Sequence, residues 1–68
     1  MLDAKTKELI AIGASVSANC QPCLQYHVAK AREMRIGEGK IQQAIEVGKM
    51  VRKGAARQMD ELVQGLSK

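Results

Sequence analysis

A small all-α bundle of three to four helices, completed by copies of the same chain, is the fold class this sequence predicts. Apolar residues recur at helical spacing from one end to the other, and strand-like alternation is absent. The 68 residues are 46% hydrophobic yet include a single aromatic, Tyr26, so the core must come from Leu, Ile, Val, Ala and four Met. A domain of this size buries only about 60% of its unfolded surface, and a core without large rings is thin for a monomer. A single domain over residues 1–68 and a homo-oligomer are therefore expected.

The first helix is predicted over residues 3–17. Asp3 suits the N-cap, and Leu2, Leu9, Ile12, Gly13 and Val16 form its apolar stripe, widened by Ile10. Ser15, Ser17 and Asn19 weaken its end. Asn19 or Cys20 can cap a second helix over 20–35, where Pro22 is tolerated because amides of a first turn lack intrahelical partners. Its stripe is Cys23, Leu24, His27, Val28, Ala31 and Met34, with His27 central and Gly37 and Gly39 closing the segment. Ile41, Ala44, Ile45, Gly48 and Val51 mark a third helix over 39–52, in which Gly48 would let a neighbouring backbone approach. Lys53 and Gly54 then suggest a break, and Ala55, Met59, Leu62, Val63 and Leu66 a fourth helix, with one long helix through Gly54 as the alternative.

Charge and cysteine usage narrow the function. The formal charge of +4 and a stripe of Lys49, Arg52, Lys53 and Arg57 would suit an acidic partner. Glu46, Asp60 and Glu61 lie nearby and no aromatic residues interleave, so the stripe reads as a solvated face and nucleic acid is not expected as a partner. No secretory leader pattern opens the chain and no apolar run approaches the roughly 18 residues of a membrane span, so a cytoplasmic location is expected and no membrane partner. Two cysteines three residues apart close too small a loop to staple a fold, and in such a compartment they are more often catalytic or metal-binding.

Cys20, Cys23 and His27 carry the chemistry. Residues three and four apart share a helix face, with Cβ atoms about 5–6 Å apart, so Cys23 neighbours both Cys20 and His27. Two thiols that close can interconvert with a disulfide, and an imidazole beside them can take a thiol proton. The helix N-terminus favours an anion at either sulfur, and His27 can accept the proton or, once charged, stabilise the thiolate. Cys20, nearer the helix start, is expected to be the more exposed sulfur, and Cys23 to have the closer base. Glu8, at the edge of the first helix's apolar face, could orient His27 if the two stripes pack together.

The pattern Glu8-x₁₁-Cys20-x₂-Cys23-x₃-His27 resembles the active-site motif of the carboxymuconolactone decarboxylase/alkylhydroperoxidase D-like family. The stretch from Glu8 to His27, E-L-I-A-I-G-A-S-V-S-A-N-C-Q-P-C-L-Q-Y-H, is similar to that family's small-residue-rich helix–turn–helix, and G-E-G-K-I-Q-Q-A-I-E-V-G-K-M-V to its next helix; the likeness covers about residues 6–53. The resemblance implies an all-α fold, obligate oligomers, and thiol-dependent peroxidase or disulfide reductase activity where both cysteines are kept. It implies catalytic roles for Glu8, Cys20, Cys23 and His27, no cofactor, a small hydroperoxide or disulfide as substrate, and a dithiol or protein reductant. One position departs: some peroxidase members carry a histidine just before the second cysteine, and here that residue is Pro22, which removes a second imidazole from any proton relay.

Two other classes compete. Cys20, Cys23 and His27 could hold zinc with a fourth ligand from Glu8 or another subunit, although a second C-x-x-C or an H-x₃₋₅-H pair is missing. The chain could also be a non-enzymatic helical interaction module docking through its basic face. A thioredoxin-like domain is excluded because its C-x-x-C needs a βαβ context, and haem attachment because histidine would have to follow the second cysteine directly.

Overall fold

A computed structural model describes residues 1–67 as three helices, α1 (Ala4–Ser17), α2 (Gln21–Glu33) and α3 (Glu38–Leu66), with no strand among them. Lys68, the last residue of the expected domain, lies outside the described residues.

Each helix begins and ends for a local reason. Asp3 caps α1, its carboxylate accepting the Thr6 amide at 2.7 Å. Cys20 is the N-cap of α2 and makes no side-chain capping bond, while Pro22 sits in the first turn. Asn19 takes a left-handed conformation, φ 55°, and terminates α1: its own amide bonds to Val16 O at 3.1 Å and the Cys20 amide to Ser15 O at 3.0 Å. That pairing of the last carbonyls is a Schellman turn.

Arg35 repeats the device at the end of α2, with φ 61° and the Ile36 amide bonded to Ala31 O at 3.0 Å. The expectation that Gly37 and Gly39 end the second helix is therefore corrected. Gly37 is instead the N-cap of α3, and Gly39 lies within α3. Arg35 closes the turn because the apolar contact between Ile36 and Ala31, both buried, anchors the motif.

The fourth helix is also corrected: α3 runs unbroken for 29 residues through Gly54. A single mid-helix glycine costs only about 1 kcal/mol, and here strong helix formers flank it, Lys53 before and Ala55, Ala56 and Arg57 after. At 1.5 Å per residue such a helix is about 43 Å long, and it dominates a molecule of 51 × 24 × 22 Å.

The core lies between the later parts of α1 and α2, the turn that follows α2, and the start of α3. Ile12 and Ile41 are fully buried, with Ala31 and Ile36 beside them and Leu9, Leu24, Val28, Met34, Ala44 and Ile45 packed around. Burying one such isoleucine contributes about 1.5–3 kcal/mol. Leu2 and Ile10, assigned to the α1 stripe, are exposed because α2 and α3 cover only the Ile12–Val16 side of α1.

Beyond Gly48 the character of α3 changes. From Lys49 to Ser67 every residue is exposed except the half-buried Gly54, including Met50, Val51, Met59, Leu62, Val63 and Leu66. Past Arg52, this half of α3 keeps its amphipathic pattern with its apolar side chains exposed. No helix among the described residues is long and apolar enough to cross a membrane.

Candidate active site

The four residues singled out from the sequence come from two elements. Glu8 lies in the second turn of α1, and Cys20, Cys23 and His27 occupy the N-cap and first two turns of α2. The tight Asn19 turn folds α2 back against α1, which brings together residues 19 apart: His27 Nδ1 lies 2.5 Å from Glu8 Oε1. The Glu8 side chain is 15% exposed and that of His27 29%, so their pairing is shielded from most solvent competition.

This bond decides the imidazole's tautomer. An ionised carboxylate can only accept, so Nδ1 carries the hydrogen and donates it, leaving Nε2 as the nitrogen able to take a proton. Glu8 thus does for His27 what the notion of an orienting carboxylate requires. Tyr26 adds a second restraint, its ring meeting the imidazole edge-on at 5.0 Å and 83°.

Cys20 and Cys23 are joined as a disulfide with Cα atoms 5.2 Å apart, within the span such bridges need. The expected exposures are reversed. Cys20 is half-buried, since its N-cap position and its amide bond to Ser15 tuck it against the end of α1, whereas Cys23 on the next turn faces outward and is exposed. His27, expected at the centre of a buried stripe, is only half-buried, as are its stripe neighbours Leu24 and Val28; of α2 only Ala31 is buried. The sulfur nearest the base in sequence is therefore also the one open to a reactant.

The basic stripe divides. Lys49, Lys53 and Arg57 are exposed as expected, Lys49 within 3.6 Å of Glu46. Arg52 is the residue sequence reasoning missed: it reaches back to α1, donating to Asn19 Oδ1 at 3.1 Å and approaching Val16 O at 3.5 Å. Its place one turn past Gly48, the close-approach residue, was the available signal. Among the described residues no three His, Cys, Asp or Glu side chains converge as a metal site requires, so the zinc reading gains no support from the geometry.

Residues 1–62 match the sequence model of the carboxymuconolactone decarboxylase family. The chain belongs to that family. No curated protein and no solved structure matches it. Membership in the carboxymuconolactone decarboxylase family covers all of α1 and α2 and most of α3, and so takes in Glu8, Cys20, Cys23 and His27. The cysteine pair fits the redox branch of the family.

Proposed function

We propose that this chain is a thiol-dependent peroxidase and disulfide oxidoreductase working through Cys20 and Cys23. The observation that carries this reading is the Glu8–His27 hydrogen bond, which prepares a base one helical turn beyond an exposed cysteine already bonded to its neighbour.

In this reading His27 takes the Cys23 proton on Nε2 while Glu8 holds Nδ1. The Cys23 thiolate attacks the terminal oxygen of a small hydroperoxide; the O–O bond breaks, the alcohol departs with the proton from His27, and Cys23 becomes a sulfenic acid. The Cys20 thiolate then attacks that sulfur, hydroxide leaves and is protonated to water, and the disulfide closes. A small dithiol or a protein reductant reopens it by thiol–disulfide exchange.

The working form in this proposal is a homo-oligomer in the cytoplasm. Support comes from α3, whose exposed Met59, Leu62, Val63 and Leu66 form an apolar strip too continuous to leave in water.

Peroxide turnover driven by dithiothreitol tests the reading. The unaltered protein is expected to consume an organic hydroperoxide catalytically, and Cys20→Ser and Cys23→Ser each to stop multiple turnover. Full activity in both variants would overturn the assignment.

A further inference from the structure

Arg52 has no part in the chemistry above, yet its guanidinium is anchored beside the dithiol. It donates to Asn19 Oδ1 at 3.1 Å, and Asn19 immediately precedes Cys20. Arg52 and Cys20 also line one cleft of about 140 Å³, together with Ser15, Val16, Asn19 and Leu24. Gln21 completes the lining, so Arg52 is the one charged side chain on it. Cys23 does not line this cleft. It is exposed, and its base lies four residues on along the same helix.

We propose that Arg52 is a positioning residue for Cys20: its charge favours the Cys20 thiolate and makes Cys20 the sulfur released when the disulfide opens. The proposal rests on the redox reading above and adds a division of labour to it. His27 and Glu8 serve Cys23, and Arg52 serves Cys20.

A guanidinium stays protonated throughout the working pH range, and a positive charge that shares a small cleft with a thiol lowers its pKa. The amides of α2's first turn act in the same direction on its N-cap residue. A thiol of lower pKa is the better leaving group in exchange.

Exposure then sets the order of events. The thiolate of a dithiol reductant attacks Cys23 Sγ; its electron pair forms the mixed disulfide, the Cys20–Cys23 bond breaks, and that bond's pair leaves on Cys20 as thiolate. The reductant's second thiol passes its proton through His27 and attacks its own sulfur in the mixed disulfide. Cys23 is released and takes that proton. Two electrons have moved: the reductant leaves as its disulfide, and the protein holds a Cys20 thiolate and a Cys23 thiol.

The test is a titration of each thiol alone. In a Cys23→Ser background, iodoacetamide alkylation of Cys20 is followed by mass spectrometry against pH, with Arg52, Arg52→Gln and Arg52→Lys. Cys20 is expected to titrate below the ordinary thiol value of about 8.5, to move up by about one unit in Arg52→Gln, and to recover at least half that shift in Arg52→Lys. In a Cys20→Ser background the Cys23 profile is expected to stay put in Arg52→Gln. A Cys20 profile unchanged by Arg52→Gln would overturn the proposal, as would equal shifts at both sulfurs, the mark of a merely structural role. Should Arg52→Gln fail to fold by circular dichroism, the Cys23→Ser protein is titrated at low salt and at about 1 M salt, where screening is expected to raise the Cys20 value; no salt shift overturns the proposal. The alkylation needs no peroxide, so an Arg52-dependent Cys20 profile in a protein without peroxide turnover would sink the proposed activity and leave this assignment standing.

Discussion

Gly13 and Gly48 bring the backbones of α1 and α3 into contact: a Cβ built on Gly48 would lie 2.4 Å from the carbonyl oxygen of Gly13 and 2.7 Å from Val16 Cβ. The crossing fixes how α1 lies on α3, and through α1 it sets where Glu8 and the Asn19 turn stand. Gly48→Ala is expected to destabilise the fold by roughly 2 kcal/mol, because a backbone oxygen cannot swing aside and alanine's better helix propensity, about 1 kcal/mol, returns only about a third of the overpacking cost. Gly54→Ala, where an added Cβ meets nothing within 4 Å, is expected to stabilise by about 1 kcal/mol. Urea unfolding of the two variants checks the contrast; equal effects would mean that the glycine contact is not tight.

Removing the charge from Glu8 while keeping its shape isolates its role toward His27. Glu8→Gln can still pair with Nδ1 but is a weaker, uncharged acceptor for its hydrogen, so alkylation of Cys23 in a Cys20→Ser background is expected to slow by about tenfold or more at pH 7, within the range for positioned proton transfer. Parity with the parent would take Glu8 out of the mechanism.

The uncovered half of α3 predicts self-association. Leu62→Glu with Leu66→Glu places charge in the exposed apolar strip and is expected to shift the protein from oligomer to monomer in analytical ultracentrifugation, with lower thermal stability. A parent protein that sediments as a monomer would refute the expectation.

Arg35 holds a left-handed backbone that suits glycine better. Arg35→Gly is expected to raise stability by about 1 kcal/mol by relieving that conformation, read as a higher urea midpoint at unchanged slope. A lower midpoint would show that the arginine side chain contributes more than its backbone costs.

Acid should weaken the helix ends first. The Thr6 amide bonded to Asp3 holds that carboxyl below its ordinary value, and the fork of Arg32 on Glu38, with two contacts at 3.0 Å, does the same for Glu38 while raising Arg32. A lowered folded-state pKa means stability that is present above the ordinary carboxylate range, about 4, and lost as pH falls through the lower folded values. Thermal midpoints are expected to be flat with respect to these two groups near neutrality and to decline below about pH 4, less steeply in Asp3→Asn with Glu38→Gln. Both groups are exposed, so the difference is small and shrinks in salt.

The helical class, the Asp3 cap and the close approach at Gly48 were legible in the residues, because each follows from local chemistry; the Glu8–His27 pairing was legible only on the condition that the stripes of the first two helices pack together, and through the family resemblance. Gly54 misled because glycine marks a break only where its neighbours also disfavour helix, and here they do not. α1 ends at Ser17 as expected, whereas α2 stops at Glu33, two residues early, because Arg35 does what glycine usually does, held by contacts such as Ile36 on Ala31 that lie outside any one helix pattern. The exposures of Cys20 and Cys23 were inverted for the same reason: position along a helix gives an order in sequence, whereas burial depends on what folds over it. Arg52 shows the limit most clearly, since its acceptors on Val16 and Asn19 are more than thirty residues away.

The edge-on ring of Tyr26 against His27 gives this molecule its own optical gauge. With neither tryptophan nor phenylalanine in the chain, all intrinsic fluorescence arises from that one phenol, three residues past Cys23. Quenching by a neighbouring disulfide or by a charged imidazole would register in its emission, so the opening and closing of the sulfur bridge can be followed in real time without a dye.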